Sequence, residues 1–157
     1  MIENQVVELL MKHQYHIAFS ESCTGGLCCA TLINVSDASK VLNESIVTYA
    51  NEAKIKYLNV NENTIQEYGV VSEEVCREMA IGICEISGSE VGVAVSGIAG
   101  PKGGSETKPV GMVCFGFKIN EKLYTYTQYF GNIGRNEVRN ASVNFVFHKL
   151  YELLNYE

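Results

Sequence analysis

No stretch of about 18 apolar residues occurs in the chain, so no membrane-spanning helix is expected. The opening Met1-Ile2-Glu3-Asn4-Gln5 lacks the basic cluster and long apolar run of a secretory signal, which points to the cytoplasm. Positive charge is scarce too. Twelve Lys and Arg against 18 Asp and Glu leave a formal net charge of -6, removing the general attraction to phosphate backbones and anionic lipid. Neither nucleic acid nor a membrane is therefore expected as a partner. His13, His16 and His148 stand apart, and no Cys-x-x-Cys or His-Glu-x-x-His spacing occurs, so no metal and no cofactor are expected. Among the six cysteines, Cys28 and Cys29 are adjacent, while Cys76 and Cys84 fall in a helical pattern. That arrangement does not suit a disulfide framework, and reduced thiols are expected. Internal repeats, linkers and low-complexity segments are absent as well.

What is present is enough apolar material, 46% of 157 residues, for one core and one domain over residues 1–157. Ile2, Val6, Leu9, Leu10 and His13 follow helical spacing, and His16 to Ser20 reads as a strand. A helix is predicted from Leu27 to Ile33, a strand from Glu44 to Ala50, and a helix from Asn51 to Leu58. Ser72 is a suitable N-cap for a helix to Ser87, with Glu73 and Glu74 at its positive end and Gly88 as its stop. Val91 to Val95 is a buried-type strand. Val110 to Ile119 and Lys122 to Phe130 form a hairpin about Asn120-Glu121, and Val143 to Leu154 marks a long amphipathic helix. The alternation predicts an α/β/α sandwich whose mixed sheet is parallel first and antiparallel later.

Four segments carry candidate chemistry. Glu21-Ser22-Cys23-Thr24-Gly25-Gly26 joins a strand to a helix, where free amides and the dipole suit an oxyanion or phosphate; alternatively Ser22 or Thr24 is only a cap. Tyr49 and Lys54 close a strand and open a helix, and Lys54 becomes a base only if burial or a neighbouring cation lowers its pKa. The glycine-dense loop Gly97 to Ser105, continuing to Lys108, offers backbone donors beside Lys102 and Lys108, a setting for phosphate or merely a long turn. It is neither a P-loop nor a dinucleotide fingerprint. Arg135 and Arg139 share one face at the start of the last helix, and their guanidinium groups suit phosphate or carboxylate, or solvent. Cys23 has no histidine partner in an evident position and is not expected to be the nucleophile.

Taken together, Glu21–Gly26, Thr48–Lys54, and Ser96–Gly104 with Lys108-Pro109-Val110-Gly111 resemble the CinA C-terminal domain family. The likeness continues through Tyr68–Ser72 and Met79–Gly82 to Arg139 in the same order. It implies an α/β/α fold, frequent homo-oligomers, and nicotinamide-nucleotide amidase activity. That reaction converts nicotinamide mononucleotide to nicotinic acid mononucleotide and ammonia. By the same resemblance Ser22 is the nucleophile and Lys54 its base, with Tyr49 nearby. Thr24, Gly25, Gly26, Gly97, Ala99, Gly100, Gly103, Gly104, Ser105, Lys108 and Arg139 are expected to contact substrate. Ser39, in Asp37-Ala38-Ser39, is the second candidate for nucleophile and is expected near the ligand, although Asp37 departs from the family pattern. The turn Gly131 to Arg135 is longer than in relatives. The alternative function is a catalytically silent nucleotide-binding or protein-interaction module linked to competence or DNA-damage responses.

Overall fold

The computed structural model describes residues 1–157. Helix α1 (Ile2–His13) ends at Gln14, whose left-handed backbone returns its N–H to Leu10 and Met11 carbonyls. Strand β1 (Ile17–Glu21) leads through the Ser22–Gly26 turn into the short helix α2 (Leu27–Leu32). A 3-10 turn (Ala38–Lys40) precedes β2 (Leu42–Val47), followed by α3 (Asn51–Leu58), α4 (Glu62–Tyr68) and α5 (Glu73–Ser87). Strand β3 (Val91–Gly97), the hairpin of β4 (Met112–Ile119) and β5 (Lys122–Tyr129), and α6 (Arg135–Asn155) complete the chain.

Helix α5 begins and ends as predicted. The Ser72 hydroxyl accepts from the Val75 amide at 3.2 Å, and Gly88 closes the helix in the left-handed region, its N–H returning to Cys84. The hairpin turn falls at Asn120-Glu121, with Asn120 at φ 52. Two strand boundaries and one helix differ from expectation in ways that matter to the site or the pattern. Strand β2 stops at Val47, so that the carbonyls of Thr48 and Tyr49 are free for Lys54. Strand β4 starts at Met112, because the Gly111 amide bonds back to Ile98. Helix α4 was not predicted, since none of its residues is buried and it has no apolar stripe; its visible signal is Asn61, whose side chain caps the Asn63 amide.

The five strands lie in the order β2-β1-β3-β4-β5. Strand β1 pairs in parallel with β2 and β3, and the β3–β4 and β4–β5 pairs are antiparallel, as predicted. Period-2 alternation divides the core. Ile17, Phe19, Val91, Val93, Val95, Val113, Phe115, Phe117 and Ile119 pack with α1, α2 and α6 on one face. The opposite face is built from small residues, Ala18, Gly92, Ala94 and Gly116, beneath α5. A Cβ at Gly116 would lie 2.4 Å from the Cys76 carbonyl oxygen, and one at Gly92 2.8 Å from that of Ala80. Any larger side chain there would push α5 off the sheet. No helix is long and apolar enough to cross a membrane.

Candidate active site

Where parallel strands end, their connections splay apart and leave a crevice; β1, flanked by β2 and β3, supplies it here. The Ser22 amide donates to Val95 at 3.0 Å, extending the β1–β3 pairing by one residue and fixing Ser22 at the carboxyl edge. Lys54, from the middle of α3, is fully buried, and its Nζ lies 3.1 Å from Ser22 Oγ. The same nitrogen reaches the Thr48 carbonyl and, at 3.3 Å, that of Tyr49. Burial pushes the Lys54 amine below its ordinary value. Carbonyl oxygens only accept, so the two of them take two hydrogens of the amine, and the third contact of the nitrogen is with the serine hydroxyl.

Ser22, Lys54, Tyr49, Asn51, Val71 and Ser96 are among the residues lining a cavity of about 170 Å³. It adjoins a second chamber of about 260 Å³, with Cys23, Tyr49, Val70, Val71 and Gly97 common to both walls. The outer chamber adds Ala99, Gly100, Gly103, Lys102 and Arg135. Arg135 spans its mouth, donating to the Gly100 carbonyl at 2.8 Å and the Tyr49 hydroxyl at 3.0 Å. Ser96 Oγ donates to the Val70 carbonyl at 3.0 Å and so holds the wall shared by both chambers.

The helix N-terminus after Gly26 is not open to an anion. Glu21, fully buried, places its carboxylate there and accepts from the amides of Gly26 (3.3 Å), Cys28 (2.9 Å) and Cys29 (3.1 Å). Gly25 donates to the Ser22 carbonyl instead. The amide of Cys23, a residue that lines the cleft, has no acceptor among the other residues and is the donor left beside Ser22. Arg139 braces this turn from behind, donating to the carbonyls of Cys23 (2.9 Å) and Thr24 (3.3 Å). The Cys23 thiol is pushed up to about 11 by burial, opposed by the Arg139 charge, and is held as the unreactive thiol.

The residues expected at the site thus divide. Ser22, Lys54, Tyr49, Gly97, Ala99, Gly100 and Gly103 line the two chambers. Thr24 is sealed from solvent, and Gly25 and Gly26 belong to the braced turn rather than the cavity wall. Arg139 holds that turn. Gly104 packs against Val110, and Ser105 closes a turn with Lys108. Lys108 does not enter the cleft either: its Nζ donates to the carbonyls of Tyr68 and, at 2.7 Å, Val71. Ser39 sits in the turn before β2, and since Leu42 pairs with Ile17 and Val47 with Glu21, it lies at the opposite end of the sheet from Ser22. Val70, Val71, Asn51, Ser96 and Ile98 also line the chambers without having been singled out as site residues; nothing in a Val-Val pair distinguishes a cavity wall from core. No three His, Cys, Asp or Glu side chains converge anywhere in the structure. All six thiols are free.

Fold and cleft together define an α/β/α protein with a buried serine–lysine pair at the carboxyl edge of a parallel strand. The chain belongs to the CinA C-terminal domain family, which matches residues 1–154. It is 43% identical over 153 residues to a CinA-like protein of Petrotoga mobilis, covering 98% of this chain and 38% of that protein. It is also 43% identical over 155 residues to a putative competence-damage inducible protein of Alkaliphilus oremlandii, covering 98% of this chain and 37% of the relative. The chain therefore spans under two fifths of the length of these relatives. Among solved structures, the competence/damage inducible protein CihA of Agrobacterium tumefaciens superposes with a TM-score of 0.93 at 36% identity, over 98% of this chain and 95% of that one. A CinA superfamily protein of Klebsiella pneumoniae gives 0.95 at 30% identity, over 99% and 97%.

Proposed function

We propose that the cleft hydrolyses the carboxamide of nicotinamide mononucleotide, yielding nicotinic acid mononucleotide and ammonia. The observation that carries the reading is the contact of Lys54 Nζ with Ser22 Oγ at 3.1 Å in a site where burial lowers the amine and two carbonyls occupy its hydrogens. Ser22 Oγ attacks the carboxamide carbon while Lys54 takes its proton. The oxyanion forms against the amide of Cys23, a donor of the kind that contributes about 10²–10³ in rate. Lys54 returns the proton to the amide nitrogen, the C–N bond breaks and ammonia leaves. Water then adds to the acyl-enzyme with Lys54 again as base, and the proton goes back to Ser22 as the acid departs.

The outer chamber suits the 5′-phosphate, since Arg135 and Lys102 stand beside a loop whose Ala99, Gly100 and Gly103 amides have no acceptor in the protein. The deciding experiment is ammonia release from nicotinamide mononucleotide by the purified, chelator-treated protein. Stoichiometric release supports the amidase. Saturable binding without release makes the chain a nucleotide-binding module instead.

A further inference from the structure

Resting on the amidase reading above, we infer that Asn51 is the residue by which the cleft selects a primary carboxamide over an ester, its side-chain oxygen accepting an N–H of the group that leaves as ammonia. Asn51 opens α3 and Lys54 stands three residues on, so the two lie on one face of the helix. Both line the inner chamber of about 170 Å³ together with Ser22, and Asn51 takes no part in the outer one. Lys54 is fully buried, whereas Asn51 is exposed. The base therefore sits deep in the chamber and the carboxamide of Asn51 at its rim.

The hydrogen bonds of the wall single Asn51 out. Ser22 Oγ meets Lys54, the Tyr49 hydroxyl meets Arg135, and Ser96 Oγ donates to the Val70 carbonyl. The asparagine side chains bonded within the protein are Asn43, Asn61, Asn136 and Asn155. Asn51 is thus the one oxygen- or nitrogen-bearing side chain of this wall with no partner in the chain. Carbonyls along the same wall are engaged as well. Ser22 accepts from Gly25, Cys23 from Arg139, Tyr49 from Lys54 and Val71 from Lys108.

A primary carboxamide brings one acceptor and two donors into this setting. Its oxygen goes to the Cys23 amide, where the oxyanion forms, which leaves the N–H groups to be placed. Asn51 Oδ1 supplies the acceptor for one of them. Leaving a desolvated N–H without an acceptor is unfavourable, and a site built to bond a substrate N–H discriminates through that penalty. Asn51 acts before the C–N bond breaks, holding the nitrogen within reach of Lys54, which returns to it the proton taken from Ser22. An ester oxygen in the same place has no hydrogen to offer and gains nothing from Asn51.

The test compares hydrolysis of nicotinamide mononucleotide with that of the methyl ester of nicotinic acid mononucleotide, by the full chain and by its Asn51→Leu and Asn51→Asp variants. Asn51→Leu, close to Asn in size, should lower the amide-to-ester ratio of kcat/KM about tenfold or more, as expected when a desolvated donor loses its acceptor. A substitution that only loosened the Ser22–Lys54 contact would slow both substrates and leave the ratio in place. Asn51→Asp keeps an acceptor and should restore most of the ratio. Its carboxylate, one turn from Lys54, should also favour the ammonium and move the acidic limb of the pH profile upward. An unchanged ratio in Asn51→Leu, or a loss in Asn51→Asp as deep as in Asn51→Leu, overturns the assignment and leaves the amidase standing. A wild-type protein that cleaves neither substrate removes the reaction itself, and the role of Asn51 with it.

Discussion

Lys54 Nζ and Ser22 Oγ lie 3.1 Å apart, and the carbonyls of Thr48 and Tyr49 complete the surroundings of the amine. These carbonyls are available because β2 ends one residue earlier, at Val47. The proposed nucleophile and base therefore depend on where a strand stops as much as on which residues they are. Because the two act as one unit, Ser22→Ala and Lys54→Met should each lower ammonia release by at least about 10³-fold, and the double variant should be little worse than either. Steady-state rates of the three variants check this. Multiplicative losses would show that the two side chains act independently.

Burial of Lys54 fixes the sign of two pH effects. Activity requires the neutral amine, so kcat/KM should rise with pH through a pKa below the ordinary lysine value of about 10.4. Stability should rise over the window between the lowered folded-state pKa and about 10.4, where the unfolded chain binds the extra proton; the gain is complete above that window and absent below the folded value. Urea unfolding across this range, with Lys54→Met as reference, isolates the contribution. A wild-type curve parallel to that of the variant would mean the amine stays charged in the fold.

Glu21 replaces the anion expected at the start of α2. Its fully buried carboxylate accepts from three amides, and through them it sets the turn that presents Ser22. Glu21→Gln exchanges an acceptor for an amide NH₂ against backbone donors, so a loss of about 2 kcal/mol is expected in denaturant unfolding, in the range for hydrogen bonds to a charged group. Turnover should fall further than KM rises, since the outer chamber proposed to hold the phosphate is untouched. Unchanged stability would exclude the cap.

The two segments that meet at the serine–lysine contact were legible because each is local, a strand end running into a helix start, written within seven residues or fewer. Helix α5 and the β4–β5 turn were legible for the same reason, since Ser72, Gly88 and Asn120 act on their own neighbourhood. Roles that depend on the meeting of distant segments were not. That Lys108 would reach across 37 residues to Val71, or Arg139 across 116 to the Cys23 carbonyl, is settled by the fold. Ser39 shows the converse, a hydroxyl in a recognisable place in the sequence that parallel pairing carries to the far end of the sheet. Helix α4 went unseen because burial writes the pattern, and it buries nothing.

Arg135 and Lys108, both cations beside the glycine loop, should separate cleanly in kinetics. Arg135 stands across the outer chamber, bonded to Gly100 and Tyr49, and is free to re-aim toward a phosphate. Lys108 is committed to the carbonyls of Tyr68 and Val71, tying the loop to the segment that walls the inner chamber. Arg135→Ala should therefore raise KM for nicotinamide mononucleotide about tenfold or more, the worth of a charge-assisted hydrogen bond, with little effect on nicotinamide riboside. Lys108→Ala should act on both substrates alike, lowering kcat by loosening the Val70–Val71 wall and reducing stability by about 1–2 kcal/mol for two carbonyls left without a donor. The mononucleotide-to-riboside ratio of kcat/KM is the measurement that tells them apart: it should collapse in Arg135→Ala and hold in Lys108→Ala. A ratio that collapses only in Lys108→Ala would mean that Lys108 leaves its two carbonyls to bind the phosphate, and that Arg135 serves only to hold Tyr49 and Gly100 together.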